Sequence, residues 1–384
     1  MEHRDVVVVG AGLAGLECAH RLSRAGLDVL LVDRKPALEA RVHTTGIFVR
    51  RTLEDFEFPD GCLGPPVRRV ALYSPGRRVL ELESSHDEFR VGRMGRLYRT
   101  YLLRAQREGA AWAPDTRYLG LAPSGEGSAV TLESRERRFQ VQARFVVGAD
   151  GAVSRVARDL GLDVNREFIA GVEDVLDGLS PSGEPPTFHC FIDPRLAPGY
   201  LAWLVDDGEE AHVGVGGYVD RFRPLAALEA FEGSLGGLVD LASARRTERR
   251  GGRIPVGGVL RRIVSTRGLL VGDAAGAVSP LTAGGLDPCL RLSRLAAEVT
   301  LDYLAGGDPS VLERYSGDRF RSRFFTRRWL RRTFALPWPV PLVEAGCAAL
   351  RRPPLKALAW HVFFGRGSFP EFSSAAEDEA ATAR

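Results

Sequence analysis

The chain opens on an apolar run that does not alternate. Val6 to Val9 are four consecutive β-branched positions, the pattern of a strand buried on both faces of a parallel sheet. Gly10, Gly12 and Gly15 follow, and then Leu16, Ala19 and Leu22 recur at helical spacing. Gly26 can end that helix, Leu27 to Val32 read as a second strand, and Asp33 stands at its end. A loop around Thr44 to Gly46 then precedes a predicted helix. The stretch VRRVALYSPGRRVLELES alternates about Ser74, Pro75 and Gly76, which predicts a hairpin. GRMGRLYRTYLLRAQREGA predicts a helix with Leu97, Tyr101, Leu102 and Ala105 on one side. Thr116 to Gly151 read as a β meander ending in a second buried strand, Phe145 to Val147. Residues 165–262 carry strand-like runs broken by proline and glycine. GLLVGDAAGAVSPLTAGGLDPCLRLSRLAAEVTLDYL then repeats the opening style of apolar strand, glycine turn and long helix. Beyond Pro309 the pattern is helical and rich in Arg, Phe and Trp.

These elements divide the chain discontinuously. Nucleotide-binding parts fall at residues 1–60, 92–160 and 266–305, and a β-rich substrate part at 61–91 and 161–265. A C-terminal helical region covers 306–372. The small, polar, acidic stretch 373–384 has the composition of a disordered tail.

Composition removes several functions. With 384 residues and a net charge of only +3, nothing points to a nucleic-acid partner. Lys35 and Lys356 are the only lysines, so the positive charge is almost all arginine. Cys18, Cys62, Cys190, Cys289 and Cys347 are scattered without a CxxC pair or metal-ligand spacing, and no metal site is expected. They read as reduced cytosolic thiols. The start MEHRD lacks the apolar core of a secretory signal, and no apolar run reaches membrane-spanning length. A cytoplasmic protein is expected.

The opening turn has a physical reading of its own. Gly10 permits the tight turn, Gly12 lets backbone approach a pyrophosphate, and Gly15 lets the helix pack closely on the strand. The helix N-terminus offers free N–H groups to phosphate. Asp33 can accept hydrogen bonds from an adenosine ribose, and Arg34 beside it is a further contact candidate. The order of strand, turn, helix, strand and acid points to a dinucleotide; a purely structural βαβ turn is the alternative.

Two later motifs decide which dinucleotide. VVGADGAVSRVAR holds Gly148, Asp150, Gly151, Ser154 and Arg155; LLVGDAAGAVSPLTAGGL holds Gly272, Asp273, Pro280, Gly284 and Gly285. With the opening glycines, this ordered trio resembles flavoproteins of the para-hydroxybenzoate hydroxylase type over roughly residues 1–305. The resemblance implies an α/β fold: a Rossmann-like FAD-binding domain, an inserted antiparallel β-sheet substrate domain, and C-terminal helices. It implies Asp273 near the ribityl chain and pyrophosphate, and Thr282 to Leu286 beside the isoalloxazine ring. Glycines at 284 and 285 would let backbone N–H groups meet the flavin's pyrimidine edge. Arg93 looks like the family's phosphate-neutralising arginine, with Arg90 or Arg96 as alternatives.

Within that superfamily, aromatic hydroxylases usually carry a histidine after GDAA, where this chain has Gly276. The GDAAGAVSPLTAGGL…RLAAE run instead resembles the geranylgeranyl reductase branch, whose members saturate C=C bonds of isoprenoid chains or act on related lipophilic substrates. That branch carries a Tyr-x-Trp-x-Phe-Pro signature and a following Gly-x-Gly. Here Trp203 and Gly214-x-Gly216 match, Tyr200 lies one position early, and Val205-Asp206 replace Phe-Pro. Trp203 equally fits a strand core position. His43 falls about where archaeal members of the branch have a loop cysteine, and can donate a proton or hold a substrate oxygen; a solvent-facing bystander is the plainer reading. His189 and His212 read as structural strand residues.

The leading expectation is an FAD-dependent oxidoreductase passing hydride to a C=C bond of a lipophilic, isoprenoid-like substrate, with His43 and Trp203 as catalytic candidates. Its reductant would be NAD(P)H, bound transiently, or another donor. A flavin monooxygenase and a non-redox flavoprotein cyclase or isomerase are the competing functions. In the C-terminal region Phe320, Phe324 and Phe334 share one helical side while Phe325 and Trp329 fall opposite. That composition raises a peripheral contact with the inner membrane surface. Oligomeric state is not legible.

Overall fold

The computed structural model describes residues 2–40, 42–135, 137–179 and 185–365, so the tail expected at 373–384 lies outside them. The non-alternating valines do what their pattern demands. Glu2–Val9 pairs in parallel with Val29–Val32 on one side and Arg138–Gly148 on the other, with Val6 between Val29 and Phe145. Both faces are covered, and Val6, Val7 and Val8 are fully buried. Among the described residues this sheet has eight strands. Its main path runs Val264–Ser265, Gly268–Leu270, Arg138–Gly148, Glu2–Val9, Val29–Val32, Ala111–Ala113, and the meander strands Gly127–Glu133 and Arg117–Ser124 branch from Arg138–Gly148. Helices Met94–Arg107 and Leu286–Gly306 both pack on the first helix, Leu13–Arg24. Leu16, Leu97 and Leu290 are buried in that core.

Among the described residues the second sheet has seven strands, ordered Arg245–Pro255, Phe168–Asp177, Ala211–Tyr218, Ala202–Asp206, Thr187–Phe191, Arg69–Tyr73, Val79–Glu83. It is antiparallel except where Thr187–Phe191 runs parallel to Arg69–Tyr73. That exception arises because a long chain excursion, not a hairpin, brings the two together. Strand alternation sorts its residues. Ala202 and Leu204 face a cluster with Leu228 and Phe231 of the covering helix Pro224–Gly233. Trp203 and Val205 face the other way, with Val91. A three-stranded sheet, Ile47–Val49, Phe89–Gly92 and Leu63–Val67, adjoins both layers. The expected loop and helix near Thr44 therefore include a short strand before the helix Arg50–Asp55.

At the C-terminal side, Phe320 and Phe324 are buried, whereas Phe325 and Trp329 are 75% and 61% exposed. Phe334 departs from the expected side and is half exposed. The tighter turn Ser322–Phe324 resets the helical phase before Phe325–Phe334 begins. Among the described residues no helix is long and apolar enough to cross a membrane. All five cysteines are buried and free.

Candidate active site

Four strand ends meet at one turn. Gly10 donates to the Val32 carbonyl at 2.8 Å, Ala149 to Val9 at 2.8 Å, and Val271 to Gly148 at 2.9 Å. The glycines there are fixed by different constraints. Gly10 has φ of +103°, and a Cβ on it would stand 2.3 Å from the Ala149 oxygen. At Gly15 a Cβ would stand 1.9 Å from the Gly10 oxygen. Gly12 differs: its φ of −72° suits any residue, and a Cβ there meets nothing within 4 Å. The protein itself does not require glycine at 12, and the open space over this backbone is available to a bound group.

From this turn a cavity of about 1430 Å³ runs between the layers. A single drug-sized ligand fills roughly 300–1,000 Å³, so there is room for a large cofactor and a second molecule. Gly10, Gly12, Asp33, Arg34, Asp150, Gly272, Asp273, Gly284, Gly285 and Leu286 line it, as do His43 and Trp203. Gly15 and Pro280 lie behind the lining. Asp33 Oδ2 accepts from the Ala11 N–H at 2.7 Å and Oδ1 from Lys35 N–H at 2.8 Å. Asp150 is largely spent locally. It accepts from Ser154 Oγ (2.6 Å), Arg155 N (2.7 Å) and Val156 N (3.1 Å), anchoring the turn into Arg155–Asp159.

Arg93 is held elsewhere. It donates to Gly61 O and Asp207 O, each at 3.2 Å, and lies 3.4 Å from Glu209. Arg90 donates to Gly64 O at 2.7 Å and Arg96 pairs with Glu209 at 2.8 Å. The fold therefore brings none of the three candidate phosphate arginines to the cavity lining.

Asp273 is the unmatched group of the site. Among the described residues no donor is hydrogen-bonded to its carboxylate, and burial pushes the carboxyl up to about 6. A desolvated acid facing a cavity is suited to hydroxyl donors from a ligand. With the open Gly12 cradle, this fits FAD: backbone for pyrophosphate, Asp33 for ribose, Asp273 for a polyol chain. Gly276 has φ of +69°, and a Cβ on it would stand 2.5 Å from Gly258 O. No side chain, histidine included, is accommodated there.

The substrate wall is built by glycine gaps. Trp203 pairs with Gly214 across the sheet, and a Cβ on Gly214 would stand 2.2 Å from the indole. Tyr200 fills the matching gap over Gly216, where a Cβ would stand 2.6 Å from its ring. Its hydroxyl donates to Thr282 O at 2.7 Å, tying the wall to the segment beside Gly284. Tyr200 thus occupies the wall despite its offset, although the sequence placed only Trp203 among the candidate site residues.

Behind Trp203 lies a buried charged network that sequence reading also missed. The indole N–H donates to Glu173 Oε2 at 3.1 Å, and the Thr45 hydroxyl donates to the same oxygen. His212 Nδ1 is 3.3 Å from Glu173 Oε1, and its Nε2 is 3.6 Å from Asp207. Arg250 is 3.5 Å from Glu173 and donates to Thr44 O at 3.2 Å. Burial works against charge on His212, yet Glu173 and Asp207 push it up to about 9, so the ring is cationic at neutral pH. Burial likewise opposes the Glu173 charge, but His212, Thr45 and Arg250 hold its carboxyl below the usual value. His43 behaves oppositely: burial, then Lys35 and Arg34, lower it, leaving a neutral imidazole at pH 7. Among the described residues no cluster of His, Cys, Asp and Glu is placed to hold a metal.

Comparison with known proteins agrees with this chemistry. Residues 3–200 match the FAD binding domain family. A digeranylgeranylglycerophospholipid reductase of Methanopyrus kandleri is 33% identical over 83% of this chain and 86% of its own length. One from Methanosarcina acetivorans is 28% identical over 80% and 77%. The fold matches a geranylgeranyl bacteriochlorophyll reductase-like protein from Thermoplasma acidophilum with TM-score 0.83 and 20% identity, covering 99% of each chain. It also matches p-nitrophenol 4-monooxygenase from Pseudomonas putida with TM-score 0.72 and 17% identity, over 97% of this chain and 100% of that one.

Proposed function

We propose that this chain, which belongs to the geranylgeranyl reductase-like branch of the FAD-dependent para-hydroxybenzoate hydroxylase superfamily, saturates C=C bonds in the prenyl chains of an isoprenoid lipid. It is an FAD-dependent oxidoreductase. The observation that carries the substrate reading is one continuous cavity, running from the glycine turn to a wall of Trp203, Tyr200 and the helix residues Val362 and Phe363. On this reading residues 1–60, 92–160 and 266–305 form the cofactor part, and 61–91 and 161–265 the substrate part.

The turn at Gly10 and Gly12, Asp33, Asp273 and the Gly284–Gly285 backbone would hold FAD. When reduced, FAD supplies a hydride. The protein's own residues do the rest. The aromatic wall binds the apolar chain, excludes water and orients the double bond, converting binding energy into proximity. His43, on the loop that Glu173 secures through Thr45, would give the proton for the second carbon from its imidazolium form, which is the minority at pH 7 and returns to neutral imidazole in the step. NAD(P)H or another reductant reloads the flavin.

A peripheral membrane position completes the proposal. Phe325, Trp329, Leu342 and Leu358 are 54–75% exposed on the C-terminal helices, among many arginines. Exposed apolar side chains interspersed with arginines suit a bilayer surface from which a lipid is drawn. The protein would act from the cytoplasmic side.

The deciding experiment reoxidises the reduced holoprotein in stopped flow, anaerobically, with an unsaturated prenyl lipid. Flavin reoxidation with a mass gain of the lipid equal to added hydrogen is expected. A flavin hydroperoxide band in oxygen, with oxygen entering the product, would replace the reductase by a monooxygenase. Isomerised lipid with the flavin still reduced would favour the cyclase or isomerase.

A further inference from the structure

Among the described residues five arginines line the cavity with no ion pair to a carboxylate; Arg34, Arg117 and Arg253 are exposed, and the two withdrawn from solvent are Arg327 and Arg331. Arg327 and Arg331 lie four positions apart on Phe325–Phe334, hence on one face, and both line the cavity. Arg331 is only 3% exposed. Its Nε donates to the Tyr218 hydroxyl at 3.0 Å, and its guanidinium stacks over the Tyr218 and Tyr200 rings at 4.9 and 5.5 Å. Its Nη2 is buried with no partner among the described residues. Arg327 donates from Nη1 to Ser279 Oγ at 3.3 Å. Burial pushes its pKa down, opposed by Asp287. That Asp287, however, is already bonded to Arg291 at 2.8 Å and Thr52 at 2.9 Å.

Burying an unpaired guanidinium is costly. The same fold shows what it does with a structural one. Arg291, with no exposed side chain, is paired to both Asp55 and Asp287. Arg327 and Arg331 lack such acids and instead face the space in which a ligand lies. The tyrosines beside Arg331 belong to the second sheet and its approach, and Arg327, one helical turn away, reaches Ser279; neither contact is at the Gly10–Gly12 turn that suits the cofactor's pyrophosphate. Guanidinium pairs grip phosphate oxygens by two-pronged hydrogen bonds.

We propose that Arg327 and Arg331 form an anion subsite that binds the phosphate at the polar end of the lipid substrate, and so sets which end of the prenyl chain enters first. The proposal rests on the prenyl reductase reading. Its test measures binding to the oxidised FAD-loaded protein, with no turnover, by the change in flavin absorbance. The probes are geranylgeranyl monophosphate, geranylgeraniol and inorganic phosphate. The native protein should bind the phosphorylated lipid at least about tenfold tighter than the alcohol, and inorganic phosphate far more weakly than either. Arg327→Gln and Arg331→Gln should each lose about tenfold or more for the phosphorylated lipid, while the alcohol stays within about twofold. Arg331→Lys should keep part of the preference. Arg327→Gln breaks only one protein contact, so it decides the matter even if Arg331→Gln fails to fold. Equal affinity for both lipids in the native protein, or equal losses for both in the variants, overturns the subsite and leaves the reductase reading standing. Inorganic phosphate binding as tightly as the phosphorylated lipid overturns the lipid assignment. If neither lipid binds the native protein, both readings fall.

Discussion

Replacing Asp273 by asparagine should strengthen the flavin-free protein while weakening its hold on FAD. The carboxyl rises from its ordinary 3.8 to about 6 through burial alone, a difference of about 3 kcal/mol between protonation states at 1.36 kcal/mol per pH unit. Because the folded value lies above the unfolded one, the group's stabilising contribution is complete below about pH 4. It is lost as pH rises through about 6. At pH 8 the apoprotein therefore carries the full cost of a desolvated anion. An isosteric amide removes that cost but brings about 1 kcal/mol of its own desolvation, leaving a net gain of about 2 kcal/mol. In a chain of this size that corresponds to roughly 2.5 °C in the melting midpoint. Differential scanning fluorimetry of flavin-stripped protein should show this gain at pH 8 and none at pH 4, where Asp273 is protonated. Saturating FAD should cancel the gain at pH 8, because loss of charged hydrogen bonds to the cofactor weakens binding about 10- to 100-fold. A gain of equal size at both pH values, or a lower midpoint at pH 8 in the stripped protein, would refute the reasoning.

Gly12→Val should fold with an unchanged midpoint yet purify without FAD, whereas Gly15→Ala should fail to fold, both read by solubility and flavin absorbance. A Gly12→Val protein that stays yellow removes that turn from the phosphate site. His43→Ala should slow prenyl-driven flavin reoxidation by about 10²-fold or more without altering FAD affinity; an unchanged rate excludes His43 as the proton source. Glu173→Ala should cost about 3–5 kcal/mol by stranding buried His212, measured by urea unfolding. His212, raised to about 9, stabilises the fold fully below pH about 6.5 and loses that effect as pH rises through 9. The fall of the midpoint between pH 7 and 10 should therefore be smaller in His212→Gln.

The parts legible in the sequence were those whose backbone constraint is local. Val6–Val9 with Gly10 and Gly15, and the GDAAG run, each encode strand, turn and helix within a few residues. Trp203 with Gly214 was legible because a ring needs a glycine opposite. Tyr200 was harder: motif spacing counts positions along one strand, while the ring's place is set by Gly216 on its neighbour. Glu173 and His212 are apart in sequence and meet only through the sheet register. Arg93 shows the limit of reading charge. In an arginine-rich chain some cation precedes most helices, and which one reaches a ligand depends on distant groups, here Asp207 and Glu209. Arg327 and Arg331 are chemically ordinary among their neighbours; only their place on the cavity wall distinguishes them.

The interlock of Gly10, Gly15 and Ala149 also has a bearing on how the protein is made. The Glu2–Val9 strand leaves the ribosome well before its Arg138–Gly148 partner, which follows about 140 residues later. At ordinary elongation rates of 5–20 residues per second, Val6–Val9 wait roughly 7 to 30 s for that neighbour. During this time the chain exposes a bare β-branched segment with one edge open to any passing strand. On the proposed cofactor site the turn is complete only with Ala149 packed against Gly10 and Gly15, so FAD would not rescue the nascent N-terminal portion, and the Gly268–Leu270 strand that covers the next edge arrives later still. Yield in a heterologous host is therefore expected to depend on translation speed and chaperone supply through the first 150 codons more than on added riboflavin.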